Sequence, residues 1–147
     1  MPRFQSVNDV LDFAIAQEIE SHDFYASWAQ RVIDPRLRQT IKNFAIDELQ
    51  HSLRLKAIAA GEATFIVDEI GSLGIAETLG DVEPHPDMSY RDFLCVAMTQ
   101  EKAAFRLYTN LASIATVPEI RATLLGLAQE EAQHKLRLEI EYDWETA

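Results

Sequence analysis

A chain of 147 residues with 24 acidic and 13 basic side chains carries a formal charge of −11, which repels phosphate backbones and excludes nucleic acid as the expected partner. Hydrophobic residues make up 48%, with only five glycines and five prolines, a balance that favours one helical globular domain over residues 1–147 and excludes a disordered or fibrous chain. The single cysteine, Cys95, excludes an internal disulfide, a cysteine zinc ribbon and a four-thiolate iron centre.

In chain order, the first expected helix covers 7–33. It opens on Ser6-Val-Asn-Asp9, a Ser-x-x-Asp capping pattern, and carries Leu11, Ala14, Glu18, Tyr25, Ala29 and Val32 on one face. Asp34-Pro35 closes it and opens the second helix, 35–60, with Asp as N-cap and Pro at the first helical position; Gly61 suits the C-terminal cap. Residues 61–89 hold four of the five glycines together with Pro84 and Pro86, and are expected to form a long crossover with one short helix near Ile75 to Leu79. A second capping pattern, Ser89-Tyr-Arg-Asp92, starts the third helix, 90–115; the fourth covers 118–144 behind Pro118, with a charged end expected to fray. No stretch reaches the roughly 18 apolar residues of a membrane span and the first residues lack an apolar signal core, so a cytoplasmic protein without membrane association is expected.

The second half repeats the first at an offset of 83 residues. Ser6 falls on Ser89, Leu11 on Leu94, Gln17-Glu18 on Gln100-Glu101, Tyr25 on Tyr108, Pro35 on Pro118, Arg38 on Arg121, and Leu53-Arg54-Leu55 on Leu136-Arg137-Leu138. The chain's only two Glu-x-x-His strings, Glu48 to His51 and Glu131 to His134, are related in the same way, each 30 residues after Glu18 or Glu101. The expected fold is therefore all-α: a four-helix bundle of two repeated helical hairpins joined by the long crossover.

Helical positions three apart share a face, so each Glu-x-x-His aims a carboxylate and an imidazole into one space. Four carboxylates gathered in a bundle interior would cost several kcal/mol each if uncompensated. Two divalent cations offset that charge, and two imidazoles complete the donor set, an arrangement that suits a dinuclear carboxylate centre.

The pattern Gln17-Glu18, Phe24-Tyr25, Asp34-Pro35 and Glu48-x-x-His51, its second copy, and the linker phrases Leu73-Gly-Ile-Ala and Pro86-Asp-Met-Ser resemble the rubrerythrin-like branch of the ferritin-like superfamily over about residues 6 to 144. The resemblance implies that Glu18, Glu48, His51, Glu101, Glu131 and His134 ligate two iron ions, with Glu48 and Glu131 as bridges; manganese or another divalent metal accepts the same ligands. Rubrerythrins proper carry a further glutamate one turn after the third-helix ligand, where this chain has Ala104, and a four-cysteine rubredoxin domain, which this chain lacks. Bacterioferritins place a haem-ligating methionine where Leu49 and Ala132 stand here. The chain thus looks like a stand-alone diiron domain, and any electron donor is expected to be a separate protein.

The function expected from the resemblance is that of a non-haem diiron oxidoreductase reducing hydrogen peroxide or dioxygen. The alternatives are an iron-handling or ferroxidase protein and a metal-stabilised bundle without turnover. A homodimer is the expected assembly. Tyr25 and Tyr108, two turns beyond Glu18 and Glu101, are either catalytic helpers that hydrogen-bond ligand carboxylates or core aromatics. His22 reads first as a structural histidine, His85 as a surface residue and Cys95 as core; Arg54 and Arg137 read as paired or solvated cations.

Overall fold

The computed structural model describes residues 6–61, 85 and 87–147. Four α-helices account for nearly all of them: α1 (Val7–Ala29), α2 (Pro35–Ala60), α3 (Tyr90–Ile114) and α4 (Pro118–Thr146). They form two compact units, a hairpin of α1 with α2 and a hairpin of α3 with α4. Most of the expected crossover, including the short helix near 75–79, lies outside the described residues.

Local chemistry sets the helix starts. Ser6 Oγ accepts from the Asp9 N–H at 3.1 Å, and Asp34 Oδ1 accepts from the Arg36 N–H at 2.9 Å ahead of Pro35. At α3 the capping box is reciprocal: the Asp92 N–H donates to Ser89 Oγ at 3.1 Å and the Ser89 N–H to Asp92 Oδ2 at 3.3 Å. Val117 caps α4 with no side-chain bond, and Pro118 supplies the preset φ instead.

The first helix ends at Ala29, four residues before the expected Ile33. Asp34 precedes proline and is held extended, with φ −64° and ψ 119°, so the chain must leave the helix before it. Val32 nevertheless stays buried while Ile33 is 88% exposed. The apolar period thus outlasts the helix, because a turn residue occupies the next place in the core. An arginine fixes that turn from one helix turn away: Arg38 Nε donates to the Val32 carbonyl at 3.0 Å. Arg121 Nη2 makes the equivalent bond to the Ala115 carbonyl at 2.6 Å. Alanine at either arginine leaves a partly buried carbonyl without its charged donor, and is expected to destabilise the chain by about 1–2 kcal/mol. The shift of the urea midpoint at constant m-value measures this; an unchanged midpoint would show the bond to be incidental.

The other boundaries move little. Ala115 is the cap of α3 and not its last residue, and α4 runs two residues beyond the expected 144. Its last turn carries a Thr146 Oγ1 bond to the Tyr142 carbonyl, behind i,i+4 pairs between Lys135 and Glu139 and between Arg137 and Glu141. Gly61 caps α2 with φ −85°, so the left-handed freedom of glycine is not used there. Gly126 sits within α4, and a Cβ built on it meets nothing within 4 Å. Gly126→Ala should accordingly stabilise the chain by about 0.5–1 kcal/mol, raising the melting temperature in a thermal scan.

In each hairpin the buried face follows the helical period, and in each helix a polar group interrupts it. The buried series of α1 includes Val10, Leu11, Ala14, Glu18 and Tyr25; that of α2 runs Ile41, Phe44, Ala45, Glu48, His51, Ser52 and Leu55. α3 carries Leu94, Ala97, Glu101 and Tyr108, and α4 carries Leu124, Leu127, Glu131, His134 and Leu138. Apolar residues above and below these acids hold the helices together and fix where the acids lie.

Candidate metal centre

The N-terminal hairpin brings Glu18 from α1 to Glu48 and His51 of α2. The three side chains are 2%, 1% and 0% exposed, and one candidate ligand atom from each lies within 4.8 Å of the others. His51 Nδ1 stands 3.6 Å from Glu18 Oε2. The C-terminal hairpin builds the same trio from Glu101 of α3 and Glu131 with His134 of α4, also buried and within 4.8 Å of one another. His134 Nδ1 is 3.4 Å from Glu101 Oε1. All six residues expected from the sequence pattern therefore converge with their own hairpin mates.

The surroundings hold these groups in place. His22 Nδ1 lies 2.8 Å from the Ala45 carbonyl and ties α1 to α2, which bears out its reading as a structural histidine; the N–H on that nitrogen donates. Ser52, fully buried beside His51, donates to the Leu49 carbonyl at 2.6 Å. Tyr25 is fully buried and meets the Phe44 ring edge-on at 5.5 Å; Tyr108 is buried likewise. Arg137 pairs with Glu141 at 3.0 Å on the surface, and His85 is exposed, as expected. Cys95 departs from the expectation. It is half-buried and free, because it lies beside the buried stripe of Leu94 and Val96 and not within it.

The residues present fit a hard or borderline divalent cation. Each trio offers two carboxylates and one imidazole and no thiolate, the donor chemistry that suits iron or manganese and disfavours soft metals. Two carboxylates held within 4.8 Å of each other and shielded from water repel by about 3 kcal/mol at an effective dielectric near 20, and a cation in each trio reverses the sign of that interaction. The inter-helix arginines Arg38 and Arg121 were legible only as a repeated pair; what marks them is their shared position three residues after the repeated proline.

Among solved structures, the chain is similar to a Thermotoga maritima protein described as a ferritin-like diiron-carboxylate protein. The match has a TM-score of 0.73 at 20% identity and covers 97% of this chain and 98% of that one. At that identity it shows the fold, and it agrees with the expected all-α, four-helix architecture. No curated protein matches the sequence. The sequence profile of the ferritin-like domain matches residues 6–139, the span that contains α1, α2, α3, all but the end of α4 and all six acids and histidines described above, and the chain belongs to the ferritin-like domain family.

Proposed function

We propose that Glu18, Glu48, His51, Glu101, Glu131 and His134 hold two divalent metal ions, iron foremost, and that the protein is a non-haem diiron oxidoreductase of the rubrerythrin-like kind. The observation that carries this reading is the duplicated trio: the same two carboxylates and one imidazole, buried and convergent in each hairpin. The diiron-carboxylate description of the Thermotoga maritima protein points the same way. Manganese is the metal that the donor set least distinguishes from iron.

The chemistry that a diferrous centre supplies when loaded is the transfer of two electrons to hydrogen peroxide, which with two protons becomes two waters. The protein's own share is to hold and to screen. The Nδ1 atoms of His51 and His134 face Glu18 and Glu101 across 3.6 and 3.4 Å, close enough for each pair to share one cation. Tyr25 and Tyr108, with the leucines above and below the acids, keep bulk water from the carboxylates. Electrons return from a separate donor protein. Hydrogen peroxide is the preferred oxidant in this reading and dioxygen the second; a homodimer is the proposed assembly, for which the molar mass from light scattering at micromolar concentration is the measurement.

Two irons per chain should remain after anaerobic ferrous loading and removal of excess. Stopped-flow oxidation should then be much faster with peroxide than with dioxygen at equal concentration. Equal or reversed rates would replace peroxide reduction by ferrous oxidation in the service of iron handling. Much less than one iron per chain would remove the metal reading itself.

A further inference from the structure

The two hairpins share their buried trio but not their outer face, and the difference lies at one groove. Between α3 and α4 a groove of about 340 Å³ is lined by Lys102, Phe105, Arg106, Ala132, Lys135 and Leu136, with Glu139 at its edge. Its walls are apolar, and two of them are open to solvent: Phe105 is 39% and Leu136 57% exposed, the latter like its repeat mate Leu53 at 59%. Three of the chain's 13 cationic residues gather here in a protein of net charge −11. Glu139 neutralises one of them, through its contact with Lys135. Lys102 and Arg106, one turn apart on α3, are left to offer a double positive charge in the same groove as the Phe105 ring.

The first hairpin is an internal control for what the fold requires. At the offset of 83 residues, Lys102 becomes Ile19, Phe105 becomes His22, Arg106 becomes Asp23 and Lys135 becomes Ser52, whereas Leu136 remains Leu53. His22 spends its ring on the Ala45 carbonyl. The same hairpin architecture therefore forms without these cations and without an exposed ring, so neither is demanded by helix packing.

From this contrast we infer that the groove between α3 and α4 binds an amphipathic anion: an apolar or aromatic body seated on Phe105, Ala132 and Leu136, with a carboxylate or phosphate against Lys102 and Arg106. A cavity of this size with apolar walls and a few convergent charged groups has the make-up of a small-molecule site, and a guanidinium suits both anion types. The inference is independent of the metal reading, since none of the groove residues belongs to a trio.

The test is titration calorimetry of the full chain with three probes: laurate, flavin mononucleotide and inorganic phosphate. Saturable binding of laurate or flavin mononucleotide at one per chain is expected, an aliphatic or an aromatic body being distinguished by which of the two binds more tightly; inorganic phosphate should not bind measurably. The double variant K102E/R106E should weaken the tighter probe by about tenfold or more, because like charges replace opposite ones. D23K, which alters the corresponding place in the first hairpin, should leave binding unchanged, and circular dichroism should show all variants folded. No saturable binding by either amphipathic probe, unchanged affinity in K102E/R106E, or phosphate binding as tightly as the amphiphiles would each overturn the assignment.

Discussion

Replacing Glu48 and Glu131 together by glutamine is expected to leave a folded protein that no longer takes up iron. Parent protein should retain two irons per chain after ferrous loading, and E48Q/E131Q well under one. The substitution preserves side-chain volume, so the packing of α2 and α4 is retained. What it removes is charge: in each trio a carboxylate held close to a second carboxylate, both screened from water. Without metal, the variant should melt at or above the parent at pH 7, because the repulsion between buried carboxylates is gone. With metal, the order should reverse. A cation present at 100 times its dissociation constant stabilises the folded parent by about 2.7 kcal/mol per site. For a chain of this size that is a rise of roughly 5–10 °C for each site filled, and the variant should show almost none of it. An ordinary network of buried ion pairs predicts the opposite: E48Q/E131Q would melt well below the parent in the absence of metal, and added iron would move neither. Thermal scans of both proteins, with a chelator and with ferrous iron under anaerobic conditions, separate the two accounts.

The features legible in the sequence are those that local rules or repetition specify. Ser6, Asp34 and Ser89 were expected as caps and act as caps, since a side-chain oxygen and the next backbone N–H groups settle the matter within four residues. The two trios were expected from spacing, and the hairpins assemble each of them because positions three apart on one helix share a face. The end of α1 was misplaced for an equally physical reason. Burial of Val32 reads as helical periodicity, but Pro35 governs the backbone at Asp34, and a proline's local veto outranks an apolar pattern. Arg38 and Arg121 were visible as a repeated pair but not as the groups that hold the inter-helix turns, since a bond reaching back six residues across a turn has no periodic signature. The cations around Phe105 were invisible as a group, because Lys102, Arg106 and Lys135 lie on two helices and come together only once α3 and α4 pack.

Tyr25 is where packing and metal chemistry can be pulled apart in one residue. Its ring is fully buried and lies edge-on to Phe44 at 5.5 Å, with the Phe24 ring tilted against it at 5.7 Å. Tyr25→Ala removes that ring from the core between α1 and α2 and is expected to cost about 3–5 kcal/mol, an effect dominated by the cavity and the lost aromatic contacts. Such a loss is uninformative about the hydroxyl, because a destabilised hairpin would loosen Glu18, Glu48 and His51 whatever the phenol does. Tyr25→Phe keeps the ring and deletes only the oxygen, so its stability should change by about 1 kcal/mol or less. If the hydroxyl steadies a ligand carboxylate, iron affinity measured by chelator competition should fall about 10- to 100-fold in Tyr25→Phe. Tyr108→Phe, at the corresponding place in the second hairpin, should fall by a similar factor. Unchanged affinity in both would make the two tyrosines core aromatics that the metal does not use. The comparison is decisive because the phenylalanine variant behaves differently under the two roles: a packing role makes only alanine harmful, whereas a positioning role makes phenylalanine nearly as harmful to metal binding while leaving the melt almost untouched.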